Sequence, residues 1–278
     1  MMLGSASAEQ DIPLVDWLGN DLDCESCPTR SETVRCELGH ACVQDRYAKR
    51  VDRFFKWNPH LGNDYLSHDY FEVRAIACRH ADVFRLQHLI HDEDETVRLS
   101  VAVRLPLAQT ARLRNDPHRE VRIRVAMRLE GSELLAMKDD EDYYVRKLVA
   151  RRVPESMLSR VMHDKEWEVR MEVAKRLSMP LLLNMADDSE VAVRRLVAQR
   201  LPVALLPRMA DDPSWEVRWE LVQRADQALA SQMAERDAEE EVRLAAQQRL
   251  EQLNSESHAL QDSDAQTHQH AEQGVDHG

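Results

Sequence analysis

The sequence predicts an all-α protein in which 24-residue repeats stack into a solenoid behind a small N-terminal domain built around a metal centre. Three observations predict it. A Val-Arg pair recurs at a fixed interval, apolar residues recur at helical spacing within each interval, and four of the five cysteines lie in one short segment. Seven glycines and 5% aromatic residues in 278 positions are few for a β-sandwich or barrel, which favours helices.

The first element is the segment DCESCPTRSETVRCELGHAC, residues 23–42. Its cysteines, Cys24, Cys27, Cys36 and Cys42, form a CxxC pair followed by gaps of eight and five residues. In a reducing compartment such thiols usually bind a metal or do redox chemistry, and a catalytic dithiol needs a thioredoxin-like βαβ unit that the sequence does not show. A zinc ribbon prefers two tight CxxC pairs, whereas an iron–sulfur cluster needs only that four thiolates surround it. The spacing predicts a metal site with these four ligands, leaves zinc and iron–sulfur open, and makes His40 a less favoured substitute ligand.

The second element is the segment RYAKRVDRFFKW, residues 46–57, which reads as an amphipathic helix. Its apolar residues Val51, Phe54, Phe55 and Trp57 are placed to cover the first repeat. A domain of this size with few hydrophobic residues gains from a metal staple. We therefore predict an N-terminal segment over 1–22 and a four-cysteine cluster domain over 23–65.

The third element is the repeat array, predicted over residues 66–252. Seven Val-Arg pairs follow one another at steps of 24 residues and an eighth follows after 25, beginning at Val73, Val97, Val121, Val145, Val169, Val193, Val217 and Val242. With each Val at position zero, positions +4 and +8 are apolar and +5 is mostly Ala, which marks one face of an α-helix.

Each repeat has a predicted start and stop. An Asp stands five residues before the Val in most units, twice with Pro after it, which predicts Asp at the N-cap and Pro at the first helical position of a helix of about 13 residues. Pro106, Pro154 and Pro202 predict the helix end. The rest of each unit holds a second apolar pair, such as Leu158/Val161, and has room for one short α or 3₁₀ helix.

Arginine recurs at +1 in all eight units and at +7 in seven. A basic stripe for phosphate or an acidic peptide is one interpretation. At 100° per residue, however, both positions lie within or beside the apolar face, where an unpaired charge is costly. We predict that the +1 Arg pairs with the Asp column and joins adjacent units, and that the +7 Arg meets helix C-terminal carbonyls.

Three further features complete the chain. Position −2 holds Phe71, Tyr143, Trp167 and Trp215, for which packing is the favoured interpretation and a peptide-binding groove the alternative. Cys78 falls in the small column and is predicted to be inert core. Residues 253–278 are polar and acidic and predict a disordered tail.

The units read Asp-x-x-x-x-Val-Arg-x-x-Val-Ala-x-Arg-Leu behind a four-cysteine segment, and over residues 20–252 they resemble the leucine-rich repeat variant proteins of nitrogen-fixing bacteria. The resemblance implies alternating α and 3₁₀ helices in a right-handed superhelix. It also implies a [4Fe–4S] cluster held by Cys24, Cys27, Cys36 and Cys42. The 25-residue last interval and the missing +7 Arg in the first unit depart from the family pattern at the two ends.

The favoured function is a non-enzymatic, protein-interaction solenoid whose [4Fe–4S] cluster gates binding by its redox state, with a link to nitrogen-fixation metabolism. Electron transfer is the alternative, and a nucleic-acid-binding solenoid with a structural metal, zinc included, is a third class that the net charge of −13 disfavours. The sequence shows no nucleophile elbow, phosphate loop or HExxH motif, so we expect no enzyme activity. We expect an unidentified protein partner, no membrane span, and a cytoplasmic location because no secretory signal is evident.

Overall fold

The structure, a computed structural model, describes the backbone of residues 12–272 and the side chains of residues 12–258. The described residues form helices and no strand, with two isolated antiparallel bridges, Val15–Asp21 and Glu37–Ala41. The α-helices are α1 Ala48–Trp57, α2 Phe71–Ala77, α3 Glu95–Arg104, α4 Leu107–Thr110, α5 Arg119–Ala126, α6 Gly131–Leu135, α7 Tyr143–Arg152, α8 Trp167–Arg176, α9 Val191–Arg200, α10 Trp215–Val222, α11 Gln227–Arg236 and α12 Glu240–Glu272. Between them lie 3₁₀ helices at Pro59–Tyr65, Val83–His91, Ala111–Leu113, Glu155–Arg160, Leu181–Met185 and Val203–Met209.

The chain divides into two compact units, Met1–Val149 and Ala150–Gly278. In the first unit α1 packs on α2, α2 on α3 and α3 on α5. In the second, α8 packs on α9, α9 on α10 and α10 on both α11 and α12. The stacking of one repeat on the next that the sequence predicts is therefore present within each unit, whereas the domain boundaries at 22, 65 and 252 stay predictions.

The predicted apolar stripe forms the core. All eight repeat valines are 0% exposed, and so are the +4 residues Val101, Val125, Val149, Val173 and Val197. Each buried side chain of this size stabilises the fold by about 1.5–3 kcal/mol relative to its exposed state. The second apolar pair of each repeat is also buried, as in Leu158 and Val161. A single repeat on its own could not bury this apolar face, and the adjacent repeat in the stack covers it.

The helix starts differ from the prediction. The Asp column is not the N-cap: the helices begin two residues before the Val, so that Asp94 and Glu190 occupy the N-cap positions of α3 and α9. The Asp lies two residues before the cap and accepts a hydrogen bond from the cap residue's own amide, as in Asp188 Oδ1 and Glu190 N at 2.9 Å. Such an Asx turn reverses the chain before the helix begins, and the helices accordingly span seven to ten residues rather than 13 in α2, α3, α5, α8, α9 and α10.

The predicted helix ends are confirmed. Helix α3 ends at Arg104 and α9 at Arg200, each followed by one capping Leu and then by Pro106 or Pro202. Each of these prolines is also the N-cap of the short helix that follows. At the other end of the chain, helix α12 continues through Glu272, and the disorder of residues 253–278 stays a prediction whose last six residues lie outside the described part.

The arginine columns are structural, as predicted. Six +1 arginines donate through Nε and Nη2 to the Asp that precedes the next helix. The ion-pair distances are 2.7–2.9 Å for Arg74–Asp92, Arg98–Asp116, Arg122–Asp140, Arg170–Asp188, Arg194–Asp212 and Arg218–Asp237. The remaining Nη1 donates to the carbonyl of its own repeat's Asp position, as in Arg98 to Asp92 O at 2.8 Å. We call this chain of contacts the Arg–Asp ladder; each rung fastens one helix start to the next.

The +7 arginines bind backbone carbonyls at the end of the preceding repeat's helix. Arg176 donates to Ala150 O and Val153 O at 2.7 Å, and Arg104 donates to Ala81 O at 2.7 Å. The last carbonyls of a helix have no partner within the helix and carry its negative dipole end, so a guanidinium satisfies both needs. Burial lowers the pKa of Arg128 in this column, which is consistent with its place between two repeats.

Candidate metal centre

Two tight turns position the four cysteines. Asp23, next to Cys24, accepts hydrogen bonds from Glu25 N at 2.8 Å and Ser26 Oγ at 2.6 Å, and the bond from Ser26 holds the pKa of Asp23 below its usual value. Cys36 and Cys42 flank the Glu37–Ala41 bridge, where both backbone hydrogen bonds measure 2.8 Å. Gly39 closes this turn with φ of +77°, a conformation that L side chains rarely adopt.

The turns bring the four cysteines around one cavity of about 230 Å³. Ala41, Val43 and Phe54 are buried side chains that line it, and Thr29, Arg30, Glu37 and Leu38 complete the wall. Cys36 is exposed and the other three cysteines are half-buried. The cavity therefore has an apolar floor and an edge at Cys36, Glu37 and Leu38 that reaches solvent.

The thiols disfavour one another's charge. Burial, and then the charges of Cys27 and Cys24, raise the pKa of Cys36, while Arg30 lowers it. Burial raises the pKa of Cys42 to about 11, with Asp45 and Cys27 adding to the effect. Thiolates are the form that binds metal, so a cationic core in this cavity would relieve this repulsion and bind the thiolates together.

The geometry bears on the size of the group that would fit. Among the residues that the structure describes, no three His, Cys, Asp or Glu side chains converge on a position where one ion would be held. In a zinc site the four ligand atoms lie about 2.0–2.3 Å from a single point. Here the thiols instead border a cavity that is larger than a single water, whose share of the liquid is about 30 Å³. A cavity of this size bordered by four thiols has room and donors for a polynuclear iron–sulfur cluster.

The structure also places His40, the predicted substitute ligand, and residues outside the four-cysteine pattern. His40 does not line the cavity; it is exposed and its ring lies 5.4 Å from that of Trp57. Arg30 donates from Nη1 to Cys24 O at 3.1 Å and so ties the CxxC turn to the chain that follows it. Tyr65 donates to Thr29 Oγ1, a contact between residues 36 positions apart that no local motif signals.

The remaining cysteine behaves as predicted. Cys78 is fully buried in α2's repeat, and burial raises its pKa to about 12. A thiol in that state is neutral and unreactive at neutral pH.

At position −2 the packing interpretation fits Phe71, which is half-buried and packs edge-on against Tyr70, whereas Tyr143 is 41% exposed. A second candidate site lies in the second unit, where the tryptophans at this position are exposed. Trp167 and Trp215 are 42% and 46% exposed, and Trp219, four residues after Trp215 on α10, is 36% exposed. Val191 on α9 occupies the matching position between the two tryptophan positions of α8 and α10. We call Trp167, Val191, Trp215 and Trp219 the aromatic face.

Within the described part of the chain, no helix combines the length and the apolar character that crossing a membrane requires.

Comparison with known proteins gives the following similarities. Residues 14–64 match the profile of the family described as LRV protein FeS4 cluster, and residues 191–214 match the profile described as leucine rich repeat variant. A solved structure of a leucine-rich repeat variant with a novel repetitive structural motif is 43% identical, with a TM-score of 0.72, over 82% of this chain and 98% of that one. The uncharacterized 27.7 kDa protein in the nifB 3′ region of Rhodobacter capsulatus is 48% identical over 96 residues, which are 34% of this chain and 39% of that protein. The match therefore spans about two fifths of that relative's length.

Proposed function

We propose that this chain, which belongs to the leucine-rich repeat variant family, is a non-enzymatic protein-binding solenoid that carries a [4Fe–4S] cluster at its N-terminal end. The repeat fold is a structural scaffold, and its buried side chains serve stacking. The cytoplasmic location belongs to the same proposal, because thiol ligands persist in a reducing compartment.

The cluster part of the proposal rests on the cavity that Cys24, Cys27, Cys36 and Cys42 share and on the match of residues 14–64 to an FeS4 cluster family. Bound there, the group would supply one-electron redox chemistry and a covalent link between the two turns. The test is anaerobic purification followed by metal analysis and absorption and EPR spectra. We expect a brown protein with about four iron atoms per chain and a band that dithionite bleaches, whereas a colourless protein with one zinc would refute the iron assignment.

The binding part rests on the aromatic face. The exposed tryptophans at corresponding positions of α8 and α10 are not needed for stacking, because the opposite sides of these helices already bury the repeat valines. Trp is the residue type most enriched at the energetic centres of protein interfaces. Arg195 on α9 and Glu220 on α10 pair at 3.5 Å beside these rings and link two of the helices that form the surface.

The charges around the aromatic face specify a basic partner segment. The starts of α8, α9, α10 and α12 include the carboxylates Glu166, Glu190, Glu216, Glu239, Glu240 and Glu241, and the basic side chain there outside the +1 column is Lys165. The +1 and +7 arginines of these repeats are already engaged in the Arg–Asp ladder and with helix carbonyls. A partner that presents Arg or Lys gains carboxylate contacts and stacks its cations over the tryptophan rings. The same charges oppose nucleic acid, whose phosphates would meet the carboxylates.

Binding is tested with fluorescein-labelled nona-arginine and nona-glutamate peptides, followed by anisotropy. We expect the basic peptide alone to bind, and Trp215→Ala and Trp219→Ala to weaken binding about tenfold each. Phe84→Ala is the matched control, because Phe84 is an aromatic residue of the first unit that is 81% exposed and is not part of the aromatic face. Equal binding of the two peptides, or equal loss in Phe84→Ala, would refute a basic partner at this surface.

Electron transfer is the second candidate function, and one observation favours it. Cys36, a proposed ligand, is exposed, so the cluster would have an edge at the surface where an electron carrier can approach. Redox gating would couple the two candidate sites: the oxidation state of the cluster would change the affinity of the aromatic face for its partner. It is tested by repeating the peptide titration on the oxidised and dithionite-reduced protein and comparing the two dissociation constants.

The link to nitrogen fixation is also part of the proposal. It is supported by the similarity to a protein from the nifB 3′ region of Rhodobacter capsulatus. A deletion strain that grows equally well on ammonium and on dinitrogen would refute it.

A further inference from the structure

The hydroxyl oxygen of Thr29, in the wall of the cluster cavity, accepts hydrogen bonds from two residues that do not line the cavity. Thr29 lines the cavity together with the four cysteines. Its Oγ1 accepts a hydrogen bond from Gln44 Nε2 at 3.1 Å and from the Tyr65 hydroxyl at 3.2 Å. Neither Gln44 nor Tyr65 lines the cavity, so both donors approach Thr29 from the side away from it.

The hydroxyl has one proton left to donate. A Thr hydroxyl has two acceptor lone pairs and a single O–H donor. With both lone pairs occupied, the O–H points away from Gln44 and Tyr65, and no oxygen or nitrogen acceptor for it lies within reach among the residues that the structure describes. The remaining direction is into the cavity, whose wall carries the four cysteine sulfur atoms.

We infer that Thr29 donates a hydrogen bond to a sulfur of the cluster or of a cysteine ligand, and that Gln44 and Tyr65 fix its orientation so that it sets the cluster's reduction potential. This inference rests on the proposed cluster. Hydrogen bonds to the sulfurs are among the main determinants of iron–sulfur potentials. The bond is stronger to the reduced, more negative cluster, so it favours reduction and raises the potential.

Gln44 and Tyr65 are therefore positioning residues, and Thr29 tunes the cluster with no predicted part in holding the iron. It lies outside the four-cysteine pattern, and its two partners come from separate places in the sequence: Gln44 precedes α1, and Tyr65 ends the 3₁₀ helix Pro59–Tyr65. Outer-shell partners of this kind commonly fix the orientation of groups that contact a metal site.

The test is the midpoint potential of the anaerobically purified full chain, measured by redox titration with EPR detection. Thr29→Val removes the hydroxyl and keeps the side-chain shape, and we expect its potential to fall by about 59 mV, a tenfold change in the ratio of reduced to oxidised cluster at fixed potential. Thr29→Ser keeps the hydroxyl and should keep the potential. Thr33→Val is the matched control, since Thr33 is exposed, contacts Ser31 and does not line the cavity.

A second set of measurements covers the case in which Thr29→Val does not retain iron. Thr29→Ala provides another chain without the hydroxyl, and Tyr65→Phe removes one of the two orienting contacts; both potentials should fall. The iron content of the unsubstituted protein separates the two proposals: a protein without iron refutes the cluster and this inference together. Iron-loaded protein whose potential is the same in Thr29→Val or Thr29→Ala as in Thr33→Val refutes the Thr29 inference alone.

Discussion

Removing one rung of the Arg–Asp ladder should cost far more stability than removing a surface ion pair. Arg170 donates to Asp188 Oδ2 at 2.7 Å and Oδ1 at 2.8 Å, to Ser189 Oγ at 3.1 Å and to Asp164 O at 2.8 Å. The side chains of Arg170 and Asp188 are 12% and 6% exposed. In Arg170→Ala the Asp188 carboxylate keeps its bond to the Glu190 amide but loses its cation in a poorly hydrated place.

Breaking a buried pair from one side typically costs about 3–5 kcal/mol. We expect Arg170→Ala to lower the free energy of unfolding by about 3 kcal/mol, at the lower end because the guanidinium keeps some contact with water. The matched control is Arg114→Ala, whose pair with Glu133 spans 3.3 Å between side chains 42% and 56% exposed, and which should cost about 1 kcal/mol or less.

The assay is urea unfolding followed by circular dichroism, with both midpoint and slope compared, because repeat arrays can lose cooperativity. If Arg170→Ala loses no more stability than Arg114→Ala, the arginines of the ladder do not join the repeats, and the interpretation as a binding surface is favoured instead.

Three further predictions follow from individual contacts. Cys42→Ala should abolish iron binding, whereas Cys78→Ala should retain it, because Cys78 lies in the core and Ala fills the same position in other repeats; metal analysis decides. Burial raises the pKa of Asp237, but the hydrogen bond from Arg218 and further favourable contacts outweigh burial and lower the pKa overall. The ionised carboxylate therefore stabilises the fold fully above its unfolded pKa of about 3.9, and this stabilisation is lost as the pH falls below that value. Asp237→Asn should flatten this part of a titration of stability against pH. Gly62→Ala should lower the free energy of unfolding by about 1–3 kcal/mol, because the new Cβ would lie 2.7 Å from Ala81 N. Gly19→Ala is the comparison: its Cβ meets no neighbour, and the variant should cost about 1 kcal/mol. Thermal melting of the two variants tests this difference.

The sequence predicted those features that a period of 24 residues repeats. The valine stripe, the buried second pair and the Arg–Asp contacts all follow from helical spacing and from the cost of an unpaired buried charge. The helix start was misplaced because one Asp carboxylate serves two partners, the amide two residues later and the preceding repeat's Arg. A sequence pattern with Asp before Pro suggests a cap and does not show the second partner.

For the aromatic face, by contrast, the helical spacing in the sequence already predicts exposure. Position −2 lies at 160° on the helical wheel, about 120° from the centre of the stripe formed by zero, +4 and +8. The same arithmetic that places +1 and +7 beside the core therefore places Trp167 and Trp215 outside it, and the structure exposes both. At the cavity the four cysteines were recognisable from spacing, but Thr29 gains its meaning only from Tyr65, which is 36 residues away.

The cluster cavity is connected to the first repeat through two consecutive aromatic residues of α1. Phe54 lines the cavity, and Phe55 lies with its ring 5.8 Å from His80, which follows α2. Both phenylalanines are fully buried and also pack edge-on against Tyr65, the partner of Thr29. A group bound in the cavity would add a contact to the side of Phe54 that lines it, so its loss should loosen α1 and α2 before the repeats beyond them. Hydrogen exchange of iron-loaded and iron-free protein tests this: we expect faster amide exchange in α1 and α2 and little change in α5. Uniform acceleration through α5 would mean that the metal stabilises the whole first unit, and unchanged exchange in α2 would show that the cavity and the first repeat are uncoupled.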